Sequence, residues 1–103
     1  MCGITGILSF SPSVWPVGEG ALITMRDTMV HRGPDGAGVW VDSASRIGFG
    51  HRRLAIIDLS EAALQPMSLA DGSLSIVFNG EIYNHTELRQ ELIDLGHTEW
   101  KTD

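Results

Sequence analysis

The order of periodic segments in the sequence predicts an α+β fold with a largely antiparallel sheet. Strand-like alternation recurs at residues 4–10 and between residues 39 and 57. The links between successive strands, at residues 42–45 and at Asp71-Gly72, are turns rather than helical crossovers. Helical spacing is confined to one early and one late segment. Short links of this kind join antiparallel neighbours, because parallel neighbours need a long crossover.

Residues 4–10 alternate with Ile4, Leu8 and Phe10 in one phase, predicting a strand whose apolar face carries those three. Ser11, Pro12 and Pro16 end it. Residues 21–30 place Leu22, Met25 and Met29 at helical spacing and predict an amphipathic helix. Gly33-Pro34-Asp35-Gly36 is a loop by composition. Val39-Trp40-Val41 and residues 47–57 predict two strands, and Asp71-Gly72 predicts a hairpin between residues 67–69 and 74–78. A second helix is predicted over 86–95: Asn84 stands at the cap, Glu87 completes the capping-box spacing, and Gly96 supplies a left-handed end. Leu88, Leu92 and Leu95 form its apolar stripe, and residues 100–103 read as the start of a further strand. Without repeat or linker, the expectation is one domain over 1–103.

Composition narrows the function classes. The 103 residues carry 7 Lys and Arg against 13 Asp and Glu, a formal charge of −6, and Lys101 is the only lysine. Phosphate backbones are bound by clustered cations, so no nucleic-acid partner is expected. No apolar run approaches the ~18 residues of a membrane span. The start, Met1-Cys2-Gly3-Ile4, has neither a basic leader nor a glycine after Met1, which points to a cytoplasmic protein. A single cysteine makes no internal disulfide, and His31, His51, His85 and His97 lack metal-ligand spacing, so no metal is expected. Gly48-Phe49-Gly50 lacks the rest of a phosphate-binding loop.

Several residues are candidates for chemistry. Cys2 reads either as a small buried hydrophobe or, with Met1 removed, as a nucleophile whose own α-amine, titrating near ~8, acts as base. Asn79-Gly80 is a preferred hairpin turn; it also offers a side-chain amide and a backbone N–H, the two donors of an oxyanion hole. Arg53 lies in phase with Ile47, Phe49, Ala55 and Ile57. A guanidinium there needs a partner, either Asp35 or Asp58 in an ion pair or a substrate carboxylate. His31-Arg32-Gly33-Pro34-Asp35-Gly36 reads as a helix end followed by a turn.

Taken together, the segments Met1-Cys2-Gly3-Ile4, His31-Arg32-Gly33-Pro34-Asp35-Gly36, Gly50-His51-Arg52-Arg53-Leu54-Ala55-Ile56-Ile57-Asp58, Gln65-Pro66-Met67 and Phe78-Asn79-Gly80-Glu81-Ile82-Tyr83-Asn84 resemble one family. It is the amino-terminal glutaminase domain of the glutamine-hydrolysing asparagine synthetases, a class II glutamine amidotransferase domain. The resemblance spans nearly the whole chain. It implies an N-terminal-nucleophile hydrolase fold, an αββα sandwich of mostly antiparallel sheets, of which this chain would hold the amino-terminal part.

The resemblance implies that Cys2 attacks the side-chain amide of L-glutamine. Asn79 and Gly80 would form the oxyanion hole, and Arg53 would hold the substrate carboxylate with Leu54, Ala55, Ile56 and Ile57 beside it. Glu81 would lie near the substrate amino group. A Ser-Asp pair that completes the family's site would fall just after Asp103, which receives no role. ATP and magnesium would belong only to a synthetase domain, a partner of the same polypeptide absent from this sequence, and a homodimer is left open. The rival readings are a related amidotransferase with another acyl acceptor and a truncated, non-catalytic module.

Overall fold

The structure, a computed structural model, describes residues 1–101. Its elements in order are β1 (Gly3–Leu8), α1 (Glu19–Asp27), β2 (Gly36–Val41), β3 (Ile47–Arg53), a single 3₁₀ turn (Glu61–Ala63), β4 (Met67–Ser68), β5 (Ser75–Ile76) and α2 (His85–Asp94). The α+β class with antiparallel sheets is therefore observed. β3 is central in a sheet of order β1-β3-β2, and β4 and β5 form a separate hairpin. Both neighbours of β3 are antiparallel, with Ile4 opposite His51 on one side and Gly38 opposite His51 on the other.

The helix α1 covers one face of this sheet, and two glycines explain which. A Cβ at Gly48 would strike Leu22 and Val17, and one at Gly50 would meet Thr5 and the α1 backbone. These bare positions let Leu22 sit against the strand, where it is fully buried, with Val17 beside it. The apolar face expected on the first strand therefore points the other way. Ile4 and Leu8 are 45% and 54% exposed, and Phe10 lies beyond the strand end at 88%. On that second face Trp40 stacks on Phe49 at a centroid distance of 5.5 Å.

Other boundaries shift for identifiable reasons. α1 starts two residues before the expected helix and stops at Asp27, where the Thr28 hydroxyl caps the Met25 carbonyl. The turn between β2 and β3 is held by the Asp42 carboxylate, which accepts from the N–H groups of Arg46 and Ile47, with Ser45 at φ 53°. β3 ends at Arg53 rather than running to residue 57, because Leu54 and Ala55 turn away to bond Cys2 and Asp35. The Asp71-Gly72 hairpin forms, but its strands shrink to two residues each. Asn79-Gly80 does not join two strands; residues 77–82 carry no regular structure.

α2 matches its expected span within one residue and ends on Gly96 at φ 97°. The Asn84 side chain makes no cap hydrogen bond, however, and no residue of α2 is buried. Its leucine stripe stays accessible along the helix. Trp100 and Lys101 are not in a strand, and Thr102 and Asp103 lie outside the described residues. Among the described residues, no helix is long and apolar enough to cross a membrane.

Candidate active site

Side chains alternate across a strand, so register decides which residues share a face. On the face opposite α1, β3 presents His51 and Arg53 in phase with Phe49, and Cys2 extends the phase of Ile4 just before β1. The second half of the chain supplies the opposite wall. The result is a cleft of about 310 Å³ lined by Cys2, His51, Arg53, Leu54, Ile56, Ile57, Asp58, Ala63, Gln65, Met67, Gly80 and Glu81. That volume is at the lower end for small-molecule sites. A larger cavity of about 410 Å³ opens near Phe10 and Trp15, but its lining offers no thiol and no charged side chain. The smaller cleft is where the chemistry gathers.

Cys2 is anchored by backbone on both sides. The Leu54 N–H donates to Cys2 Sγ at 3.3 Å, and the thiol faces the Leu54 carbonyl at 3.7 Å. Arg32 Nε donates to the Cys2 carbonyl at 3.2 Å. The loop carrying Arg32 is itself tied to the end of β3: Arg52 Nε donates to the Gly33 carbonyl at 2.9 Å, and the Asp35 N–H to the Arg53 carbonyl at 2.9 Å. This loop fixes the strand end beside the thiol.

Arg53 is 8% exposed and makes no ion pair among the described residues. Neither Asp35 nor Asp58 takes the pairing role open to them in the sequence. Nη1 donates to the Ser60 carbonyl at 2.6 Å and Nη2 to the Asp58 carbonyl. Carbonyls satisfy two of the five guanidinium donors and leave the net charge without a carboxylate. The side chain of Asp58 bonds Ser60 instead, chiefly through the Ser60 hydroxyl and then its N–H, and this holds its carboxyl below the usual range with a smaller contribution from Arg53. A nearly buried guanidinium that lines a cleft is suited to an anionic ligand.

His51 was not singled out from the sequence. It is 1% exposed, and neither ring nitrogen has a hydrogen-bond partner among the described residues. Burial lowers its pKa, the charge of Arg53 lowers it further, and the Phe78 backbone pulls the other way. The net direction favours the neutral ring. Its phase with Phe49 and Arg53 is the signal that could have found it. Gln65 carries no comparable local signal.

The cleft brings together Cys2, Arg53, Leu54, Ile56, Ile57, Gly80 and Glu81, while Ala55 and Asn79 are not part of its lining. The Ala55 N–H is committed to the Asp35 carboxylate at 2.9 Å. Asn79 is half-buried next to Gly80. Among the described residues, no group of His, Cys, Asp and Glu could hold a metal ion.

A family model described as a glutamine amidotransferase domain matches residues 1–103. Asparagine synthetase [glutamine-hydrolyzing] 1 of Bacillus subtilis is 44% identical over 99 residues, covering 95% of this chain and 15% of the relative. A probable asparagine synthetase [glutamine-hydrolyzing] of Dictyostelium discoideum is 38% identical over 102 residues, 99% of this chain and 18% of the relative. An amidase of Gibberella zeae is 37% identical over 102 residues, 91% of this chain and 15% of the relative. The chain thus spans less than a fifth of the length of these curated relatives. No solved structure matches the chain.

Proposed function

We propose that this chain, which belongs to the glutamine amidotransferase domain family, is the glutaminase part of a cytoplasmic glutamine-dependent asparagine synthetase. The observation that carries the reading is the convergence of Cys2, Arg53 and Gly80 on one cleft. Arg53 binds the α-carboxylate of L-glutamine and Glu81 its α-amino group, which aims the side-chain amide at Cys2. With Met1 removed, the α-amine of Cys2 takes the thiol proton as sulfur attacks the amide carbon. The oxyanion of the tetrahedral adduct is held by the Asn79 side-chain amide and the Gly80 N–H, donors of a kind worth roughly 3–4 kcal/mol each. The amine then passes its proton to the leaving nitrogen. Ammonia departs, a thioester remains on Cys2, and water releases glutamate and regenerates the thiol.

In a full-length protein the ammonia would amidate aspartate at the expense of ATP on a separate synthetase domain. We read residues 1–103 as part of one αββα domain; the support is a three-stranded sheet with α1 on one face and apolar Ile4, Leu8, Phe49 and Trp40 on the other.

The test is intact-mass analysis after treatment with a glutamine analogue bearing a thiol-alkylating ketone. The expected product is a single adduct on a chain lacking Met1, suppressed by L-glutamine and absent from Cys2→Ser. Alkylation that L-glutamine leaves untouched overturns glutamine as the ligand. Retained Met1 in a chain that hydrolyses glutamine overturns the α-amine as base.

A further inference from the structure

The donors Asn79 and Gly80 sit on a segment without regular structure, so something other than a ladder of backbone hydrogen bonds must fix their place. The side chain of Gln65 is bonded to that segment: its Oε1 accepts the Phe78 N–H at 2.6 Å. The other end of Gln65 is seated on the rigid sheet. Its carbonyl lies so close to Gly38 of β2 that any Cβ at Gly38 would overlap it. Gly38 stands opposite His51 in the register, on the cleft side of the sheet. Phe78 in turn packs its ring against Gly80, where a Cβ would come within 2.7 Å of Phe78 Cζ. The contacts form one chain: sheet to Gln65, Gln65 to Phe78, and Phe78 to Gly80.

We propose that Gln65 is a positioning residue for the Asn79–Gly80 donor pair, holding it over Cys2 through the Phe78 N–H. The inference rests on the glutaminase reading and adds to it a residue that need not touch substrate. A misplacement of about 1 Å in such donors costs on the order of 10²-fold in rate, because an oxyanion hole works only at the geometry of the transition state.

In the full-length protein that carries this segment, the experiment compares Gln65→Leu, which keeps bulk and removes the acceptor, with Gln65→Glu, which keeps an acceptor oxygen in the same place. For Gln65→Leu the expected result is a kcat for glutamine hydrolysis lower by roughly 10–100-fold with KM unchanged within about twofold. The rate of Cys2 alkylation by iodoacetamide, which needs no oxyanion donors, stays at the level of the parent chain. Hydrogen exchange at the Phe78 amide speeds up by at least about tenfold, since its acceptor is gone. Gln65→Glu restores kcat to within about fivefold. If Gln65→Leu does not fold, Gln65→Asn, one methylene too short to reach Phe78, takes its place with the same expectations.

Parent-level kcat in a folded variant that has lost Phe78 protection overturns the positioning role. So does a parallel fall in iodoacetamide reactivity, which marks Gln65 as structural only. A parent chain that neither hydrolyses glutamine nor takes the glutamine-protected label overturns the glutaminase reading itself, and the Phe78 exchange rates tell this case apart.

Discussion

Residues 3–53 and residues 54–101 are built in different ways. The first half has three strands of six or seven residues in continuous register and a helix whose Leu22 is fully buried against them. The second half has two strands of two residues and a helix with no buried residue. Yet the cleft takes residues from both: His51 and Arg53 from the sheet with Cys2 just before it, and Gln65, Gly80 and Glu81 from the looser half. The buried cation Arg53 is placed by a cooperative ladder, and Cys2 by the Leu54 N–H at that ladder's end, whereas the wall opposite them hangs on a few side-chain contacts. Such segments sit at the low end of local stability, and they are where a binding site gains the freedom to admit its ligand.

The largest expected effect separates the two helices. Leu22→Ala should cost about 2–5 kcal/mol by denaturant unfolding, the range for a buried leucine that leaves a cavity. Leu92→Ala on the exposed stripe of α2 should stay within about 0.5 kcal/mol, as for surface substitutions. Equal losses at the two sites would mean that α2 is packed as tightly as α1.

The next effect concerns the junction. Arg53→Ala should weaken glutamine binding by more than about 2 kcal/mol, the scale of a charge-assisted hydrogen bond, read as a rise in KM. An unchanged KM would remove Arg53 from carboxylate binding.

A smaller effect is the pH dependence set by His51. Its folded pKa lies below the ordinary 6.5, so the unfolded chain takes up the proton first as pH falls. Stability from this group is complete above about pH 6.5, declines below it, and levels off once the folded ring is protonated too. The unfolding free energy of His51→Gln, followed over the same range, should lack this component of the decline. The smallest effect belongs to Asn84. A working N-cap is worth about 0.5–2 kcal/mol, but this side chain makes no cap bond, so Asn84→Ala should fall below that range in a thermal melt.

Much of the fold was legible because it is local. The two helices and both turns follow from spacing and from residues such as Asp42, Gly72 and Gly96, whose conformational preferences act within a few positions. The face of β1 was not legible. Ile4 and Leu8 alternate as a core face should, but Gly48 and Gly50 on the neighbouring strand admit α1 to the opposite side. Strands are shorter than their alternation predicts where tertiary bonds intervene, as at Leu54 and Ala55.

For the candidate site, Cys2, Arg53 and Gly80 carried signals of their own: position, phase and a turn-like dipeptide. His51 shares the phase of Arg53 and Gln65 has no such local signal; the interest of both lies in what surrounds them. Residue identity and spacing by themselves determined the α+β class, the two helices, the hairpin turns and the chemical inventory of thiol, guanidinium and amide donors. Only the tertiary structure decided which sheet face α1 covers, that Arg53 is latched by carbonyls rather than carboxylates, and that Gln65 ties residue 78 to the sheet. The physical reason is range. Propensities and alternation act over a few residues, whereas the burial of His51 and the reach of Gln65 depend on β2, β3 and the loops lying together in space.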